Sequence, residues 1–153
     1  MPNIVQTTQV DSVSGIAAEQ KSTGNAAWVL QQSMQPAGAT SKSASSGNVA
    51  NATAAASLGA VASRTNSCSS ISLDIGGATA GSIVLATLTG VIGGPLTFPI
   101  AVPTGATLVQ QFSRTFSPPL QATAANVAIA LSCPAAGLGS TNAAANITGY
   151  DQT

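Results

Sequence analysis

The sequence predicts an all-β chain, an antiparallel β-sandwich carrying an extended N-terminal arm. Three observations predict it. From Gly47 onward, apolar runs recur at intervals of roughly ten residues, each bounded by Gly, Pro, Asn or Ser, which is the rhythm of strands and turns. Within the runs the apolar residues alternate: Ile71, Leu73 and Ile75 are interleaved with Ser70, Ser72 and Asp74, and Leu96, Phe98, Ile100 and Val102 with Thr97, Pro99 and Ala101. Period 2 places each set on one face of a sheet. Before Gly47 the chain is rich in Gln, Ser, Thr, Gly and Ala and has no sustained period of 2 or 3.6. The predicted organisation is therefore an arm over 1–47 and a sandwich over 48–153.

The arm has one distinctive piece, Ala26-Ala27-Trp28-Val29-Leu30, which sets the sole Trp in a polar context. Trp28, Val29 and Leu30 are the candidate partner anchor, because Trp is enriched at interface centres. The alternative is a strand or short turn that docks Trp28 on the chain's own core. Strands follow near Asn48 to Ser57, Ser67 to Ile75, Ser82 to Thr89, Pro95 to Val102, Leu108 to Phe116, Ala125 to Cys133 and Asn142 to Gly149. About seven strands suffice for a sandwich. The first could instead start a helix on the propensity of Ala54-Ala55-Ala56, but three residues are too few and Gly59 follows. Gly90-Val91-Ile92-Gly93-Gly94 reads as a hairpin connection whose glycines take positive φ. Pro118-Pro119 and Cys133-Pro134 read as strand ends, since Pro cannot donate to a ladder.

Composition narrows the function. Of 153 residues only 5% are charged, four Lys+Arg against four Asp+Glu, and His is absent. The charges are scattered along the chain, so no basic cluster offers nucleic acid the cations that displace counterions. No Ser-His-Asp triad is possible, and no two carboxylates are spaced as a hydrolytic pair. Ser41, Lys42 and Ser43 could suggest a Ser-Lys pair, but they lie in a Ser/Gly-rich stretch that reads as a solvated linker, where Lys is not desolvated into a base. Gly137-Leu138-Gly139-Ser140-Thr141 lacks the lysine and helix of a phosphate loop. Two cysteines without His are too few for zinc. No catalytic, metal or cofactor residues are expected.

The uncharged stretch Ile83 to Val102 is long enough to cross a bilayer, yet Gly90, Gly93, Gly94, Pro95 and Pro99 punctuate it as a turn between strands. MPNIVQTTQVDS has no basic stretch ahead of an apolar run, so no secretory signal is read there. By that reading, Asn51-Ala52-Thr53 and Asn146-Ile147-Thr148 match the glycosylation pattern by chance. Cys133 shares the phase of Val127, Ile129 and Leu131, whereas Cys68 is out of phase with Ile71, Leu73 and Ile75. Two unrelated thiols are favoured over a bridge. Arg114 shares the phase of Phe112 and Phe116, which requires either a sheet edge or a buried pair with Asp74. Net charge near zero favours association, so life within an assembly is expected.

Gly47 to Val61 (GNVANATAAASLGAV), Gly76 to Gly94, Phe98 to Ala106 (FPIAVPTGA), Phe116-Ser117-Pro118-Pro119-Leu120 and the ending Asn142 to Tyr150 resemble small virion proteins of tailed bacteriophages. The resemblance is one of texture and segment order over about the last hundred residues. It implies a jelly-roll-like sandwich and a structural role in the virion, decorating or stabilising the capsid through arm and sheet contacts. The implied partners are the major capsid protein or another virion protein, and further copies of the chain, a trimer among the candidates. Neither nucleic acid nor membrane is implied. A head-fibre or tail-associated adhesion protein is the alternative. A bacterial pilin or fimbrial subunit is another, resembled in the sandwich, the cysteine pair and the near-terminal Tyr150.

Overall fold

The computed structural model describes residues 9–10, 17–23, 27–31, 36, 38–105, 108–137 and 139–153, with the strands before residue 36 described by backbone alone. The chain divides into two compact units, Met1–Ala39 and Thr40–Thr153. In the first, β1 (Gln9–Val10), β2 (Ala17–Thr23) and β3 (Ala27–Gln31) form an antiparallel three-stranded sheet in that order.

The second unit contains β4 (Thr40–Ser45), β5 (Ala54–Leu58), β6 (Thr65–Gly76), β7 (Ser82–Thr89), β8 (Leu96–Val102), β9 (Val109–Gln121), β10 (Ile129–Cys133) and β11 (Asn142–Gln152). They make two four-stranded antiparallel sheets, β4-β11-β6-β9 and β5-β10-β7-β8, packed as a sandwich. The first of the eight strands pairs with the last, β5 with β10, β6 with β9, and β7 with β8. This nested pairing is one long hairpin folded over itself, the arrangement of a jelly roll.

Alternation builds the core. β5 turns Ala54, Ala56 and Leu58 inward, β7 Val84, Ala86 and Leu88, and β10 Ile129, Leu131 and Cys133, all buried. Facing them, β6 supplies Ile71, Leu73 and Ile75, and β11 supplies Ala143, Ala145 and Ile147. Each fully buried Leu or Ile contributes about 1.5–3 kcal/mol relative to exposure. The stretch with bilayer-spanning length is the hairpin β7-β8, whose turn holds Gly90, Gly93 and Gly94 at φ of 83°, 92° and 92° as expected. Among the described residues no helix is long and apolar enough to cross a membrane.

Several expectations change. The sandwich starts before Gly47: Thr40–Ser45 is an edge strand, paired with β11 from Thr40↔Asp151 to Ser45↔Asn146. Lys42 therefore sits in a sheet, not in a solvated linker. Alternating Ser, Lys and Ala there carry no apolar signal, because only Ala44 packs against the core. The strand expected from Asn48 begins at Ala54, because Asn51 takes a positive φ of 52° as the chain crosses between sheets. Likewise Asn126, at φ 62°, delays β10 to Ile129. Pro118-Pro119 does not end its strand. β9 lies at an edge, so the missing donors cost no ladder bond there, and the strand runs to Gln121.

Cys68 is the sharpest departure. On β6, Ser70 is opposite Thr148 but Cys68 is opposite Gly149, so Ser69 is an extra residue, a β-bulge. One inserted residue reverses the phase beyond it, and Cys68 and Asn66 turn inward. Both cysteines are buried and free, without a bridge.

Candidate interaction surfaces

The two outward faces of the sandwich differ in chemistry. Along β4-β11-β6-β9 the register aligns Ser43, Thr148, Ser70 and Thr115 in one row and Ser45, Asn146, Ser72 and Ser113 in the next. The hydroxyls of Ser70 and Thr148 lie 2.6 Å apart, and Asn146 Nδ2 donates to Ser72 Oγ at 3.3 Å. Asp74 belongs to this face, half-buried and opposite Gln111.

The outward face of β5-β10-β7-β8 is uncharged, apolar at Ile83, Leu85, Pro99 and Ala101 and hydroxyl-bearing along Ser132, Thr87 and Thr97. None of its strands contains a charged residue. Ile83 is 72% exposed and Leu85 54% exposed. Across the ladder they meet Ala101 and Pro99 on β8, while Thr87 and Thr89 continue the line beside Ser132 and Ala130 of β10. In the sequence Ile83-Val84-Leu85 is a continuous apolar run that does not mark which side faces the core. The exposure of Ile83 and Leu85 depended on which face the second sheet covered, a tertiary fact.

The charges are not scattered in space. Three of the five in residues 40–153 converge at one end of the core. Asp151, inward on β11, lies 2.6 Å from Arg64 Nε and 3.6 Å from Lys42 Nζ. Lys42 also donates to Asn66 Oδ1 at 3.0 Å and to the carbonyl of Gly59. Asn66 Nδ2 is directed at the carbonyl of Val127 at 2.8 Å and at those of Leu58 and Gly59 at 3.2 Å each. Charges in such a cluster require mutual pairing to offset their desolvation. Their arrangement closes the end of the core, and their sequence separation hid it.

Arg114 is an edge residue. On β9 it is opposite Ile71, and Asp74 is on the other face of the same sheet, so the alternative pair does not form. Beyond Thr115, which is opposite Ser70, β9 bulges, and pairing resumes only at Leu120 opposite Cys68. The bulge and the β7-β8 turn bound a cleft of about 640 Å³ lined by Arg114–Gln121 and Ile92. The Ile92 N–H donates to the Gln121 carbonyl at 2.9 Å and holds the two rims together. Arg114 is exposed and has no ion pair or hydrogen bond among the described residues.

Trp28, Val29 and Leu30, the expected anchor, lie on β3 opposite Ser22, Lys21 and Gln20; their side chains lie outside the described residues. Among the described residues no three His, Cys, Asp or Glu side chains gather as metal ligands. Burial pushes the Cys68 thiol up from an ordinary 9.0 to about 11, with the Ser70 backbone acting in the opposite direction, and burial raises Cys133 too. Neither is poised as a nucleophile, which requires thiolate. Comparison with family models, with curated proteins and with solved structures gave no match.

Proposed function

We propose that the chain is a non-catalytic structural protein of a tailed-bacteriophage virion, a subunit that decorates or stabilises the capsid. One observation carries the reading: the surface of the sandwich is nearly uncharged, because Lys42, Arg64 and Asp151 satisfy one another. Such a surface resists dispersal by charge and suits contact with neighbours through apolar burial and sheet hydrogen bonds. The jelly-roll pairing and the resemblance in segment order support the virion setting.

The test is quantitative mass spectrometry of purified particles, followed by titration of the protein onto undecorated shells at low and high salt. A copy number comparable to the shell protein, with binding that changes little with salt, is expected. Absence from particles, or binding abolished at high salt, contradicts the proposal. The cleft beside Arg114 favours a second reading, a head-fibre or tail-associated adhesion protein that grips an acidic glycan. Arg114→Ala abolishing binding to host envelope glycans, at a copy number far below that of the shell protein, would select it.

A further inference from the structure

We propose that the outward face of β5-β10-β7-β8 is a homodimer interface, occupied by the same face of a second copy. The inference rests on the structural reading above and names the surface that assembles.

The face sets two requirements for its occupant. It carries no charge, so a partner's charged group pressed against it would be desolvated without a counter-ion. It is also uneven along β7: Ile83 and Leu85 stand high at one end, whereas Thr87, opposite Ser132 and Thr97, and Thr89, opposite Ala130, leave the other end lower. The opposite outward face of this chain carries Asp74 and so fails the first requirement.

A second copy meets both. A two-fold axis lying between the sheets, perpendicular to the strands at the level of Ala86, inverts the strand direction. It then lays the Ile83-Leu85 end of each copy on the low end of the other. The contact is isologous, as the commonest dimers are, and stacks two sheets at about 10 Å. Four strands about 4.8 Å apart, each residue rising about 3.4 Å, give a plan area of about 500 Å² over the length of β7. Two such faces cover about 1,000 Å² together, below stable specific interfaces and in the class of weak, transient ones, so dissociation in the micromolar range or above is expected.

The experiment is sedimentation equilibrium of the full chain from low to high micromolar concentration. Wild type should pass from monomer to dimer. Leu85→Asp buries a carboxylate at the two-fold and should weaken the dimer by about a hundredfold or more. Ser113→Asp, on the opposite outward face, should dimerise as wild type does. Far-UV circular dichroism and thermal melting check folding, and Ile83→Lys decides the matter if Leu85→Asp fails to fold. A wild type that stays monomeric overturns the proposal. So does a folded Leu85→Asp or Ile83→Lys that still dimerises, the outcome expected if other surfaces mediate association, or an equal loss in Ser113→Asp. A strictly monomeric protein present on particles at shell copy number rejects the dimer and leaves the virion reading standing. A dimer absent from particles does the reverse.

Discussion

Asp151 shows how few polar contacts hold the end of this sandwich. It is opposite Thr40 on β4 and Asn66 on β6, and it serves Arg64 and Lys42 together. Asp151→Ala would leave two cations facing each other with a buried amide between them. A loss of about 2–3 kcal/mol is expected by urea denaturation, below that of a fully buried pair because Lys42 and Arg64 keep some solvent. Lys42→Met, which keeps the stem and leaves Arg64 to pair with Asp151, should cost less. Cys68 makes a pH prediction. Its folded pKa is raised, so above the unfolded value the folded state holds a proton that the unfolded state releases. Stability is then unaffected below pH 9.0 and falls as pH rises toward about 11. By the top of that window the loss is about 2 kcal/mol. Comparing unfolding free energies of wild type and Cys68→Ala across it isolates the effect; equal slopes would reject it.

At the scale of elements, the turn of β7-β8 and the bulges decide what the strands present. Gly90 has φ 83° and its Cα faces the carbonyl of Ala128, where a Cβ would collide. Gly90→Ala is expected to destabilise the sandwich by about 2–4 kcal/mol, combining a strained φ with a backbone clash. Gly93→Ala, with positive φ but open space around it, should cost about 1 kcal/mol. Chemical denaturation of the two variants separates clash from conformation, and equal losses would contradict the account. The alternation of β6 was legible as far as Ile71. The bulge at Ser69 was not, because the pairing irregularity depends on Thr148 and Gly149 of a strand far along the chain.

At the scale of the molecule, nested pairing gives β4 and β11 the longest sequence separation of any strand pair in the sandwich, so their closure is expected to be late. Thr40↔Asp151 joins the two ends of the sandwich. Loop closure over such separations must precede the contacts that stabilise it, so refolding should be slow, about milliseconds to seconds. Stopped-flow far-UV circular dichroism measures it, and complete refolding within microseconds would argue against late closure of β4 on β11.

The all-β class, most strands after residue 53 and the inward set of apolar residues were carried by period 2 and by Gly, Pro and Asn punctuation, which are local properties of the chain. β4 was not legible, because an edge strand of Ser, Lys and Thr takes its stability from the ladder of β11 and needs no apolar stripe. The candidate surfaces divide the same way. The scarcity of charge was plain from composition. The convergence of Lys42, Arg64 and Asp151, the cleft at the β9 bulge and the exposure of Ile83 and Leu85 were decided by tertiary structure, because strand order alone settles which distant residues become neighbours and which apolar face is left uncovered.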